Sequence, residues 1–410
     1  MDFALHQTYT EEQERFRKEV RSWLEQNIPE GMKNPLDPRD FTIEMYWFWR
    51  EKHKELGKKG WLYPTYSKEY GGGGMTAEQA IIIQEEFTRA RAHGSFSSSQ
   101  AFPTLLVWAT EEQKQKFLKP LLTGEKVNWQ KLTEPHSGSD LADYQSRAVR
   151  DGDDWLLSGS NIFIGDQEDA DMMIGPMLTD PNAPRHRNLG YFVIPIPSPG
   201  LTINVLKLLE YGRKKRAIFM DNVRVPGDHL IGGDHQGWQV LGTHLEAEHG
   251  GRGRLFPRDA VVDNLMEYVK DTKRDGKSLG SDPVLQQVTM DAYIEARVDA
   301  LLGQRTYWMY DNRMDMQGAS DVSNVHGRLS GLRNIIRARE VMEMYSLLDT
   351  YDPRAPHGGI QEVRQRAEAG QHHIGGSNNI SKVILARRIG ISRTQERAAP
   401  TPSTATTFSS

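Results

Sequence analysis

The 410-residue chain contains no cysteine. Disulfides, thiolate metal sites and a cysteine nucleophile are therefore excluded, and a cytoplasmic location is expected. The chain also lacks any run approaching the ~18 apolar residues of a membrane-spanning helix. Its opening, Met1 to His6, has neither a basic start nor an apolar stretch, so no secretory signal is expected. Excess positive charge is missing too: 51 basic against 55 acidic side chains leave a formal net charge of −4, which gives no electrostatic footprint for nucleic acid. No Gly-x-Gly-x-x-Gly follows a strand-like stretch, which argues against a doubly wound nicotinamide site. The glycine run Gly71 to Gly74 is not followed by Gly-Lys-Ser/Thr, and reads as a flexible connection instead of a phosphate cradle.

What is present suffices for a large core: 37% hydrophobic residues, with nine Trp and fourteen Tyr. The length allows two or three domains at about 150 residues each, or one large unit with several layers. The first third reads as helical. Thr10 to Gln13 is a capping box, with Phe16, Val20, Trp23 and Leu24 following at helical spacing, so a helix should run to about Asn27. The same chemistry recurs at Thr110 to Gln113. From Val127 to Ile231 the pattern changes to short extended runs, among them Met172 to Leu178 and Ala217 to Val225, at spacings too short for crossover helices. An antiparallel β-domain is expected there, with the basic run Tyr211 to Arg216 as a solvated hairpin turn. Beyond Gly237 the chain turns helical again. Asp282-Pro283 caps a long helix from Val284 to Trp308, and a second carries Leu329, Leu332, Ile335 and Ile336. The expected class is α+β: an N-terminal helical domain (1–126), a central antiparallel β-domain (127–235), a C-terminal helical bundle (236–395) and a disordered Ala/Pro/Ser/Thr tail (396–410).

The loop Leu132-Thr133-Glu134-Pro135-His136-Ser137-Gly138-Ser139-Asp140 concentrates hydroxyls, carboxylates and turn formers. It can offer backbone N–H groups and hydroxyls to an anionic or carbonyl-rich ligand, or it is a surface turn capped by Ser and Asp. Composition leaves both open. His244 and His249 stand i,i+5, about 140° apart on a helix, whereas a zinc helix needs i,i+4. His372-His373 is an equally poor chelate, so no metal is expected.

Thr133-Glu-Pro, two residues, then Gly138-Ser-Asp resembles the signature of the acyl-CoA dehydrogenase family, flavoenzymes that oxidise the Cα–Cβ bond of coenzyme A thioesters. Asp151-Gly-Asp, Leu157-Ser-Gly, Asp221-Asn-Val-Arg-Val-Pro, Gly237-Trp-Gln-Val and Gly376-Ser-Asn-Asn-Ile follow in the family's order, so the resemblance spans roughly residues 8 to 395. Such a reaction needs a base for the α-proton and an acceptor for the β-hydride. No side chain accepts hydride, so a cofactor must. The resemblance implies FAD, held between the β-domain and the C-terminal helices and partly across a subunit interface.

For the base, the family uses a carboxylate at one of two places. The site before the final glycine motif reads His373-Ile374-Gly375-Gly376, without a carboxylate, whereas Glu248 in Leu245-Glu246-Ala247-Glu248-His249 falls on the other. Glu248 is therefore the expected base, or else a solvated helix residue. Glu246 should point about 200° away and face coenzyme A or solvent. The resemblance places Trp129, Leu132 and Thr133 around the isoalloxazine, Ser139 near the pyrophosphate and coenzyme A, and Phe163, Ile164 and Gly165 beyond the ring. Ser377 and Asn379 match its terminal motif, Gln287 matches a family glutamine, and His249 stands on the substrate side where an Arg is common. Unaided, Phe163 reads as a core strand residue, and Ser377 and Asn379 as helix-capping groups.

Several positions depart from the family. Phe163 replaces Trp, Gly165 replaces a hydroxyl residue, and Thr272 replaces an Arg that reaches the FAD of a neighbouring subunit, with Arg274 or Lys273 as substitutes. Two functions from different classes follow. One is an acyl-CoA dehydrogenase passing electrons to an electron-transfer flavoprotein, as a homo-oligomeric dimer or tetramer. The other is an FAD-site-sharing subunit, catalytic or structural, of a heterotetramer. The same fold running oxidase or monooxygenase chemistry is a third outcome.

Overall fold

A computed structural model describes residues 9–165, 168–209, 214–249, 259–312, 314, 318–371 and 376–392. Four helices open the chain: α1 (Glu11–Asn27), α2 (Ile43–Lys58), α3 (Ala77–Ala90) and α4 (Ala101–Trp108). The Thr10–Gln13 capping box is formed, as is the one at Thr110–Gln113, and a third stands at Thr76–Gln79. Each joins a Thr hydroxyl and a Gln amide to backbone groups that a helix start leaves unpaired. The segment after Thr110 is α5 (Glu111–Gln113), a π-helical turn over Lys114–Leu118, and α6 (Lys119–Leu122).

The Gly71–Gly74 run is not a flexible connection. Gly72 N–H donates to the Ser67 carbonyl, Gly73 N–H to Tyr63 and Gly74 N–H to Tyr66. A Cβ on Gly73 would stand 2.3 Å from the Gly60 carbonyl oxygen. Glycine is required there because two backbone segments touch.

The centre is an eight-stranded sheet: β1 (Asn128–Gln130), β2 (Arg147–Asp151), β3 (Asp154–Ile164), β4 (Met172–Leu178), β5 (Leu189–Pro195), β6 (Leu201–Leu206), β7 (Lys215–Pro226) and β8 (Leu230–Ile231). Its order is β6-β7-β3-β2-β4-β5-β8, with β1 attached to β4. Most pairs are antiparallel, as their short connections require. Two depart from the sequence expectation, since β1 and β2 each run parallel to β4. Between β1 and β4 the chain makes its excursion through the Thr133 loop and the β2–β3 hairpin, which is what allows a parallel return. The basic run is also less solvated than expected. Residues 211–213 lie outside the described residues, but Arg216 is 2% exposed, its guanidinium over the Trp129 ring at 4.5 Å and donating to the Glu168 carbonyl at 2.7 Å.

The C-terminal part is helical: α7 (Gly237–His249), α8 (Ala260–Asp271), α9 (Pro283–Asp311), α10 (Ala319–Met342), α11 (Ile360–Gln371) and α12 (Asn378–Arg388), with a small hairpin of β9 (Lys273–Arg274) and β10 (Lys277–Ser278). Asp282 caps α9 through the Val284 and Leu285 amides. The expected tail beyond 395 lies outside the described residues. No helix among the described residues is long and apolar enough to cross a membrane.

One core joins the N-terminal helices to the sheet and to α7 through Val240 and Leu241; a second, around Leu265, Ala292, Ala338 and Val341, lies within the bundle. Polar clamps tie the parts together. Arg50 of α2 meets Asp171 at 3.1 Å, Trp108 of α4 donates to Thr243 of α7 at 2.9 Å, and Arg366 of α11 reaches the fully buried Asp37 at 2.6 Å.

Within the N-terminal helices, Glu86 is 1% exposed and accepts from Arg17, Arg21 and Arg89 at 3.2, 2.8 and 2.7 Å. Burial pushes its pKa up, but the three guanidiniums outweigh that and hold the carboxyl at about 2. An unfolded Glu titrates near 4.3, so this contribution is complete above about pH 4.3 and is lost as pH falls through about 2. Glu86→Gln should lower stability by about 2–3 kcal/mol at neutral pH. Urea unfolding across the acid range should show the gap to the parent closing as pH falls.

Candidate active site

The three residues of β1 organise the site. Asn128, Trp129 and Gln130 pair with Met172, Met173 and Ile174, and successive side chains leave opposite faces of the strand. Trp129 and Lys131 go into the β-domain and are buried, while Gln130 goes the other way, toward α7. The expectation for Trp129 is corrected here. The ring is 1% exposed, covered by Arg216 and packed against Gly165, so it is a core residue behind the site. Gln130 takes the outward position instead.

After β1 the loop is pinned from several directions. Tyr144 Oη donates to the Leu132 carbonyl at 2.6 Å. The Thr133 carbonyl accepts from Ile162 N–H at 3.0 Å and Asn161 Nδ2 at 3.1 Å. Glu134 is buried, and its carboxylate accepts from the amides of Gln145 and Ser146, each at 2.8 Å. The Glu of Thr-Glu-Pro is therefore an anchor for the loop. Leu132 is buried and Thr133 half-buried, while Gly138 and Ser139 are exposed. Beneath the loop, Lys131 is fully buried, donating to the Pro176 carbonyl at 2.8 Å and standing 4.8 Å from the Tyr144 ring. Burial pulls its pKa down to about 7, against the attraction of Glu134.

At the end of β3 the pairing with β7 slips between Asn161 and Ile164. Phe163, in that irregularity, has φ +62° and is 50% exposed. It is not the core strand residue its sequence suggests. A bulky residue at positive φ carries strain, and here the strain turns an aromatic face outward beside the Thr133 loop. Ile164 turns inward at 2% exposure, so its side chain belongs to the core. Gly165 has φ +68°, and a Cβ there would meet the Trp129 ring at 2.9 Å. The hydroxyl residue of the family pattern has no room while Trp129 stays in place.

Glu248 lies on the inward side of α7. Val240, Leu241 and His244 form the buried stripe, Glu248 continues it half-buried, and Glu246 is exposed. The two carboxylates therefore diverge as helical geometry requires. Gln130 Nε2 stands 3.5 and 3.4 Å from the two Glu248 oxygens. Tyr191 of β5, one of the buried core side chains, shares a 2.7 Å hydrogen bond with His244 Nδ1. Burial, and then the Glu248 charge, push the Tyr191 pKa up. Arg328 of α10 donates to the Gly376 carbonyl; burial lowers its pKa while the charge of Glu248 opposes that fall. Gln130, Glu134 and Arg328 escaped the sequence reading. Strand alternation around Trp129 would have found the first.

The remaining expected residues are spread out. Ser377 caps α12, accepting from Ile380 N–H at 3.3 Å, and Asn379 is exposed. Arg274 pairs with Glu343 at 2.9 Å and Gln287 with Asp291 at 2.8 Å, both on exposed bundle surface and not on the Thr133 loop. The side chain of His249 and residues 372–375, with the His372-His373 pair, lie outside the described residues.

An exposed aromatic wall beside a backbone-pinned loop with the Thr133 and Ser139 hydroxyls suits a planar, phosphate-bearing cofactor, and the strand that leads into that loop carries Gln130 to the Glu248 carboxylate. Comparison agrees. Models of the acyl-CoA dehydrogenase N-terminal, middle and C-terminal domains match residues 10–125, 130–223 and 235–390. Acyl-CoA dehydrogenase FadE26 of Mycobacterium tuberculosis is 27% identical over 298 residues, 72% of this chain and 74% of its own. An acyl-CoA dehydrogenase of Bacillus subtilis is 28% identical over 386 residues, 92% and 98% of the two chains. A variant of the Tcur3481-Tcur3483 steroid ACAD superposes with a TM-score of 0.81 at 25% identity, over 93% of this chain and 99% of that one. The ChsE4-ChsE5 complex from Mycobacterium tuberculosis has the same fold, with a TM-score of 0.82 at 24% identity over 96% and 100%. The chain belongs to the acyl-CoA dehydrogenase family. It is an oxidoreductase of acyl-CoA thioesters with FAD as its cofactor.

The close approach of Gly165 to Trp129 is testable. Gly165→Ser should not add a useful hydroxyl; strain at positive φ and the clash should lower stability by about 2–4 kcal/mol. Thermal unfolding of the variant checks this, and Trp129→Leu in the same chain should recover part of the loss.

Proposed function

We propose that Glu248 abstracts the α-proton of an acyl-CoA thioester in an α,β-dehydrogenation. The observation that carries this reading is the position of Glu248, half-buried on the inward stripe of α7 with its carboxylate facing Gln130, while Glu246 one half-turn away is exposed. Bound FAD supplies the acceptor for the hydride that leaves Cβ. The pair of electrons in the Cα–H bond becomes the new Cα=Cβ bond as the proton passes to Glu248. Thr133 and Ser139 would hydrogen-bond the cofactor, Phe163 would wall its ring, and the α7 and α4 helices would close the acyl side from water. Glu246 and His249 lie toward the coenzyme A moiety in this reading. An electron-transfer flavoprotein would be the partner that takes the electrons onward.

A second reading concerns assembly. The outer face of α9 carries Ile294, Val298, Leu301, Leu302 and Trp308, four of which line an open apolar groove with Arg305. Such a stripe suits another helix. With Thr272 in place of the family Arg, and Arg274 and Gln287 exposed, the partner completing the FAD site is either a second copy or a related chain. Similarity to the Tcur3481-Tcur3483 steroid ACAD and to the ChsE4-ChsE5 complex supports the related chain.

The test is the visible spectrum of the chain purified alone, followed anaerobically through a panel of acyl-CoA thioesters. A flavin spectrum that bleaches with one of them is expected, and Glu248→Gln should slow bleaching about 10²–10⁴-fold. Bleaching at the parental rate would remove Glu248 as the base. A colourless chain that gains flavin only with a second polypeptide would select the heteromer.

A further inference from the structure

We propose that Gln130 is the positioning residue for Glu248, its side-chain amide aiming the carboxylate into the cleft. This rests on the reading of Glu248 as the base. The amide nitrogen stands between the two carboxylate oxygens, 3.5 Å from one and 3.4 Å from the other. These are long contacts of the kind that tighten when a substrate fills a site.

The amide is carried on rigid backbone. Gln130 N–H donates to Ser98 Oγ at 3.2 Å, Lys131 N–H donates to the Ile174 carbonyl at 2.9 Å, and the flanking side chains Trp129 and Lys131 are fully packed. Gln130 thus has one face left to it, and that face meets α7. Glu248 sits near the end of its helix, where its own backbone gives less constraint, so a donor from the sheet fixes the carboxylate against the β-domain.

The other groups facing Glu248 do not duplicate this role. Arg328 from α10 attracts it through its charge and donates to the Gly376 carbonyl. Tyr191 from β5 hydrogen-bonds His244, which lies one turn earlier on α7. A neutral amide also serves both states of a base. Its NH2 donates to the carboxylate before proton transfer, and after it a rotated amide offers its oxygen to the new O–H. Lysine or arginine here would oppose proton uptake.

The test uses the flavin-loaded protein and its Gln130→Leu and Gln130→Asn variants; Asn keeps the amide but shortens its reach. Losing the donor frees the carboxylate from its aim, so both variants should lose about 10-fold in kcat while KM changes by less than about twofold. A merely structural role would raise KM or lower thermal stability along with the rate. The second readout is independent of turnover: the infrared carboxylate stretching bands of Glu248, assigned by their loss in Glu248→Gln, should shift in frequency in both variants as their hydrogen-bond donor is removed or drawn back. Unmoved bands in a variant that keeps parental thermal stability overturn the proposal. Retained turnover in Glu248→Gln together with shifted bands leaves the contact standing and removes only the base assignment.

Discussion

The site depends on the parallel pairing of Asn128–Gln130 with Met172–Ile174. Strand β4, against which this pairing is made, is buried at every one of its seven positions. A strand held there cannot slip by one residue without exchanging its faces. Such a slip would place the Trp129 indole against α7 and the Gln130 amide in the core. Register therefore decides which side chain meets Glu248, and it also fixes where the Thr133 loop leaves the sheet.

Around that strand the protein buries three ionisable side chains. Lys131, Glu134 and Arg216 are each almost inaccessible, and each is bonded to backbone groups of neighbouring strands or loops. Removing such groups from water is costly unless their hydrogen bonds are made. The return on that cost is a loop whose backbone is held from below by side chains while its hydroxyl-bearing face stays open. Phe163 shows the same balance in its backbone: strain at positive φ is tolerated because β3, β7 and the Thr133 carbonyl hold both sides of the bulge.

Much of the architecture was legible because it follows local rules. The capping box at Thr10, the Asp282-Pro283 start of α9 and the short extended runs of the β-domain each carry their signal within a few residues. Misreadings came where a distant segment decides. Gly71–Gly74 looked loose, but Gly60, Tyr63 and Tyr66 pack against it. Arg216 looked solvated, but Trp129 and Glu168 enclose it. Phe163 looked like core, yet the bulge turns it out.

By itself the sequence determined the three-part α+β order, the family through its spaced motifs, and the carboxylate at Glu248 whose helical phase opposes Glu246. These are periodic or contiguous features, set by backbone geometry within one element. Only the tertiary structure decided that Trp129 is core and Gln130 faces Glu248, that Glu134 anchors its loop, and that Arg328 stands near Glu248. Each of those depends on which strand lies beside which, and hence on contacts between residues far apart in the chain.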